Sequence, residues 1–267
     1  MKNRKLDPGV ANPGAALGEA IGGQIEAELG KTIKAVASRF GYVFVDHGGI
    51  HTRGPYRGRK KKLIMKDAAG IGYNIDGVVR DAQGHPIILF ESKYIRYKKH
   101  NRDKGSWLCT AHSSLMRTYP TIRRSIAVLA GNWSESSKKM IRSFGINILE
   151  VPFDHIVQVL RPYGISFDWG ERERHIATHA WVTYCRLTEE QRAEIGRKLV
   201  TNVQSRLEEM VSETLDPAKR AEREIERVEV VVYSSEGEIR LDTFQSIEEA
   251  VGYLESASVA TLFSQDE

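Results

Sequence analysis

Ile75-Asp76-Gly77 and, after a turn, Ile87-Ile88-Leu89-Phe90-Glu91-Ser92-Lys93 are the residues that decide how this chain folds. Side chains alternate faces along a strand, so Glu91 and Lys93 project on the same side, two residues apart. An apolar run ending in Glu-x-Lys leaves a carboxylate and an ammonium at the end of a buried strand. That costs desolvation free energy unless a metal or a phosphate uses them. A second carboxylate, Asp76, belongs to the preceding apolar run, Ile71 to Val79, and Arg80-Asp81-Ala82-Gln83-Gly84-His85-Pro86 marks a hairpin between the two.

Working outward, the chain has 267 residues, 41% of them apolar, enough for one sizeable core with a smaller appendage. No apolar run reaches membrane-spanning length, so no membrane partner is expected. The N-terminal residues Met1 to Pro8 do not resemble a signal peptide. Two cysteines, Cys109 and Cys185, form neither a disulfide framework nor a zinc-spaced set, which points to a cytoplasmic protein. The net charge of +4 conceals an asymmetry, because residues 201–267 carry 16 acids against 6 Lys/Arg. Arg53 to Lys66 holds seven Lys/Arg and no acid, and Lys93 to Lys104 holds six with only Asp103. Basic clusters of this kind are the footprint of a polyanion, although a solvated face is the plainer reading of any charge run.

Helical spacing of Leu17, Ile21, Ile25, Leu29, Ile33, Val36 and Phe40 predicts a helix from Ala15 to Phe40. A possible short strand follows at Val43–Val45, then an exposed glycine-rich basic loop from Gly48 to Lys62. After the two strands already described come a helix over Asn101–Tyr119, a buried strand over Ser125–Ala130 and a helix capped by Ser134 or Ser136. A strand over Ile146–Val151 and a short helix from Phe153 complete an α/β pattern, with helices covering a sheet of four or five strands. Beyond Pro162 the character changes: a helix over Glu189–Leu215, a hairpin around Ser234–Gly237 and a helix over Ile247–Ser256. This places a domain boundary at 168, with a core over 1–168 and a smaller, acidic α+β region over 169–267 for dimerisation or a partner protein.

Two acids and a lysine converging on one sheet suit divalent-metal phosphodiester chemistry. Asn74-Ile75-Asp76-Gly77, a hairpin, then Phe90-Glu91-Ser92-Lys93 resembles the PD-(D/E)xK nuclease superfamily, the fold of many type II restriction endonucleases. Over residues 15–155 the resemblance implies a restriction-endonuclease-like mixed sheet flanked by helices; Ile75 replaces the proline of the family name. It further implies that Asp76 and Glu91 bind Mg²⁺, with Mn²⁺ as a substitute, that the Ser92 carbonyl adds a ligand, and that Lys93 serves the attacking water. Family members often add a glutamate from the first helix. Glu19, Glu26 and Glu28 are available here; Glu26 and Glu28 flank the apolar stripe while Glu19 lies further round, and Glu26 is chosen.

The expected function is that of a Mg²⁺-dependent DNA endonuclease of restriction type, a homodimer acting on double-stranded DNA. Arg57, Arg59, Lys60, Lys61, Arg96, Lys98, Lys99, Arg102 and Lys104 are the candidates for DNA contact. The alternatives are a structure-selective or repair nuclease, such as a junction resolvase, and a non-catalytic nucleic-acid-binding protein. In the last, Glu91–Lys93 is a same-face ion pair worth about 0–1 kcal/mol when exposed, and Asp76 a turn residue. His175 and His179 read as a surface pair, His112 with Ser113 and Ser114 as helix surface or DNA contact, and Trp107, Trp133, Trp169 and Trp181 as packing residues.

Overall fold

A computed structural model describes residues 9–49, 61–97, 101–170, 172–219 and 225–263. Among these residues the chain divides into two compact units, 1–219 and 220–267. The first begins with α1 (Pro13–Arg39), started by Asn12, whose side chain accepts a hydrogen bond from the Ala15 amide at 3.1 Å. Its stripe of Leu17, Ile21, Ile25, Leu29, Ile33 and Val36 is buried throughout. Strand β1 (Val43–Val45) follows.

The run from Ile71 to Val79 is not one strand. It divides at Asp76 into β3 (Gly72–Ile75) and β4 (Gly77–Arg80). The first half pairs antiparallel with β2 (Leu63–Lys66) in a separate two-stranded ribbon, while β4 enters the main sheet beside β5 (Pro86–Ile95). Gly77 is required at this passage, because a Cβ there would overlap the Phe44 ring. Gly77→Ala is therefore expected to lower stability by about 1–3 kcal/mol, checked by urea unfolding. An unchanged midpoint would mean that Phe44 can move aside.

Two crossovers complete the main sheet. Helix α2 (Asn101–Thr118) leads into β6 (Arg124–Gly131), and α3 (Glu135–Ser143), capped by Ser134, leads into β7 (Asn147–Pro152). The sheet order is β1-β4-β5-β6-β7, antiparallel through β5 and parallel from there on. The result is a mixed α/β layer structure, with a five-stranded mixed sheet flanked by helices.

Alternation along β5 sorts its side chains between two faces. Ile88 and Phe90 join the cluster formed with α1, whereas Leu89 packs with Ala111 and Leu115 of α2. The α1 cluster also includes α4 (Phe153–Leu160), α5 (Arg174–Arg186) and α6 (Glu189–Leu215). The boundary expected at 168 is thus displaced to 219. Trp169, Trp181, Leu199, Val203 and Leu207 are buried in the same core as α1, and α6 runs along that helix. Within residues 220–267, β8 (Val228–Tyr233) and β9 (Ile239–Phe244) form the expected hairpin, followed by α7 (Ile247–Ser256) and α8 (Val259–Phe263). No described helix is long and apolar enough to cross a membrane.

Candidate active site

Asp76 sits at the break between the ribbon and the sheet, next to Glu91 on β5. The two residues clamp each other through the backbone. The Asp76 amide donates to Glu91 Oε2 at 3.1 Å, and the Ser92 amide donates to Asp76 Oδ2 at 2.9 Å. Lys93 lies on the same side of β5 as Glu91, as a period of two requires. Its ammonium meets Glu91 Oε1 and stands 3.4 Å from Asp76 Oδ2. The three residues paired in the sequence are therefore in direct contact.

Glu91 has no solvent exposure at all. Behind it lies His112 of α2, equally buried, with Nε2 3.8 Å from Glu91 Oε2 and Nδ1 2.6 Å from Ser125 Oγ. Reading His112 as helix surface or a DNA contact was wrong. A signal existed, since Leu108, Ala111, His112 and Leu115 share one face at helical spacing and all are buried.

Glu26 comes from α1 to the same place. It lines an open cleft of about 460 Å³ with Asp46, Lys62, Asn74, Asp76, Lys93, Lys104 and Trp107 among others. Of the other two glutamates weighed on this helix, Glu28 points away and pairs with Lys31 at 2.5 Å. Glu19 is exposed outside the lining, where its charge acts on Lys104. Asp46, just after β1, escaped the sequence reading, because a single acid after a three-residue strand carries no pattern.

Charge is crowded here. Burial, then the charge of Asp76, pushes Glu26 up to about 7. Asp76 is raised by burial and by Glu91, with Lys93 working against both. Burial also works to raise Glu91, yet His112 and Lys93 outweigh it and hold this carboxyl below its ordinary value. Burial likewise disfavours the Lys93 charge, but Glu91 and Asp76 more than compensate, so its pKa is raised.

The Glu26 shift has a sign that can be tested. At low pH the carboxyl is protonated in both folded and unfolded chains. Between pH 4.5 and about 7 the unfolded chain releases the proton and the folded chain keeps it, so stability falls as pH rises through that window. A shift of this size corresponds to about 3 kcal/mol. Glu26→Gln should therefore gain stability over the wild type between pH 5 and pH 7.5, measured by urea unfolding in a chelator. A constant difference across that range would place Glu26 in water.

The expected DNA contacts divide. Arg57, Arg59, Lys60, Lys98 and Lys99 lie outside the described residues. Lys61 is exposed and pairs through its backbone with Gly48 and Gly49; Arg102 is exposed in the first turn of α2. Lys104 lines the cleft and donates to the Tyr94 carbonyl at 3.3 Å; burial, then Lys93, lowers its pKa. Arg96 is engaged within the fold. Its guanidinium donates to the carbonyls of Phe167 and Trp169, both at 2.7 Å, and lies 3.7 Å from the Trp169 ring centroid. It ties the segment after α4 to the end of β5, with both terminal nitrogens donating within the chain. His175 and His179 are exposed on α5.

The donor set itself tests the fit of a divalent cation. Glu26, Asp76 and Glu91, with Asp46 beside them, face Lys93 in one partly buried place, and a hard cation relieves such crowding of carboxylates. Among the described residues, no group of three or more histidine, cysteine, aspartate or glutamate side chains is arranged so that it could hold a metal ion as it stands. The arrangement is that of an open, oxygen-rich site with a lysine at hand. Comparisons with protein-family models, with curated proteins and with solved structures find no match for this chain.

Proposed function

We propose that this chain is a Mg²⁺-dependent endonuclease of the PD-(D/E)xK type, with a restriction-endonuclease-like core, that hydrolyses DNA phosphodiester bonds. The observation that carries the reading is the Asp76–Glu91–Lys93 contact at the passage between the ribbon and the sheet, locked by the Ser92 amide. An exposed ion pair would have no need of a fully buried glutamate with a histidine behind it. Asp76, Glu91 and the Ser92 carbonyl would hold Mg²⁺, with Mn²⁺ as a substitute. When bound, the metal polarises the phosphate and makes coordinated water more acidic.

The chain's own groups do the rest. Lys93 is placed to orient the attacking water and to donate hydrogen bonds to the charge that develops on phosphorus. Glu26, titrating near 7, can hold or release a proton at the edge of the cleft at neutral pH. Lys62 and Lys104 supply positive charge for phosphates on either side of the scissile bond. In-line attack leaves 5′-phosphate and 3′-hydroxyl ends. A homodimer cutting both strands of double-stranded DNA in the cytoplasm is the restriction form of this proposal.

The test is incubation of the protein with plasmid and phage DNA in Mg²⁺, Mn²⁺ or a chelator. Metal-dependent cutting supports the proposal, with discrete bands marking sequence specificity. Intact DNA in every metal, with binding retained, would instead favour a nucleic-acid-binding protein.

A further inference from the structure

Trp107 has no part in the proposed hydrolysis, yet it stands in the wall of the cleft. Of the four tryptophans it alone is open to solvent, 41% exposed against 8% or less for Trp133, Trp169 and Trp181. The side chain projects from α2 and is held at its edge by the Tyr73 ring of β3, with centroids 6.2 Å apart and planes at 68°. A large indole left uncovered inside a polar cleft gives up hydrophobic free energy that burial would gain. Lys93 Nζ lies 6.0 Å from the indole centroid, and Lys62 and Lys104 line the same cleft. Phosphate-binding cations beside an exposed aromatic face are the two components of a single-strand binding site, in which the backbone follows the charge and a base stacks on the ring. A phosphate at Lys93 would leave its own or the neighbouring base within reach of Trp107.

We infer that Trp107 is a stacking platform for an unpaired nucleobase next to the scissile phosphate, so that the cleft takes DNA that is single-stranded or locally unpaired. This rests on the nuclease reading and narrows its substrate, favouring a structure-selective nuclease over the restriction form. Bases inside an intact duplex already have both faces covered by their neighbours, and they offer the indole nothing to stack on. A nick, bulge, flap or splayed end offers a free face.

The experiment is equilibrium binding in a chelator, which separates recognition from cutting. Fluorescein-labelled 15-nucleotide oligo(dT), a 15-base-pair hairpin and the same hairpin with a two-base bulge are titrated with wild-type protein, Trp107→Ala and Trp107→Phe, and anisotropy is recorded. The expected result is a loss of about tenfold in affinity for oligo(dT) and the bulged hairpin in Trp107→Ala. The intact hairpin should change little, and Trp107→Phe should restore most of the loss. Oligo(dT) should also quench the tryptophan emission of the wild type, whose one exposed indole is Trp107, and leave that of Trp107→Phe unaltered. Circular dichroism confirms that both variants fold, as an exposed position allows. Equal losses on all three ligands, no loss on any, or no binding by the wild type overturns the stacking role. Cutting of oligo(dT) and the bulged hairpin by the wild type in Mg²⁺ is scored separately: cutting without a Trp107 effect on binding removes this inference alone, whereas a Trp107 effect on binding without any cutting removes only the nuclease reading.

Discussion

Asp76→Asn is expected to lower metal-dependent cutting at least about a hundredfold while making the metal-free protein more stable than the wild type. The two effects share one cause. Burial and the Glu91 carboxylate raise the Asp76 pKa, so the ionised form is less comfortable in the fold than in the unfolded chain. Asparagine keeps an oxygen to accept from the Ser92 amide and removes the charge. The gain should be about 0.5–2 kcal/mol near neutral pH, the ordinary size for relief of a functional conflict. It should shrink in acid, where Asp76 is itself neutral. Urea unfolding at pH 7.5 and pH 4, together with initial cutting rates, measures both quantities. Asp76→Asn that is less stable than the wild type at pH 7.5 would make Asp76 a structural residue.

Lys93→Met should also abolish cutting, by about 10²–10⁴-fold, but with the opposite effect on stability. Methionine conserves most of the buried stem and deletes the ammonium that meets Glu91 and Asp76. Glu91, fully buried, is left with the His112 ring and the Asp76 amide. Removal of one partner of a buried ion pair typically costs 3–5 kcal/mol; with Lys93 still 24% exposed, about 3 kcal/mol is expected. Two inactive variants that move stability in opposite directions distinguish a catalytic site from an ordinary ion pair, for which both substitutions destabilise slightly. Melting temperatures beside cutting rates suffice, and a stability change below about 0.5 kcal/mol for Lys93→Met would sink the buried-pair account.

Much of this site could be read in the sequence because strand geometry is simple. Glu91 and Lys93 had to share a face, and a hairpin over 80–86 had to return Asp76 to their level. Other features left no trace. Tyr73, Ile75, Val78 and Val79 are all buried, so the apolar run continues while the strand changes partners, and the division at Asp76 is invisible to hydrophobic pattern. Arg96 counts as one more cation until the chain brings the carbonyls of Phe167 and Trp169, more than seventy positions away, onto its guanidinium. The boundary at 168 followed charge, whereas packing followed the apolar faces. Helix α6 carries Ile195, Leu199, Val203, Leu207 and Val211 on one side, a stripe that needs a partner as much as that of α1 does.

The change of partners at Asp76 has a consequence for the order in which competence arises. Four-residue strands make the ribbon, and its register with β2 fixes the backbone on one side of Asp76; the ladder with β5 fixes it on the other. Neither ladder alone can aim the carboxylate. The acid therefore acts as a coincidence detector for two independent pairings, correctly pointed only when both are closed. On the proposed nuclease reading, a half-folded chain would therefore lack a working site.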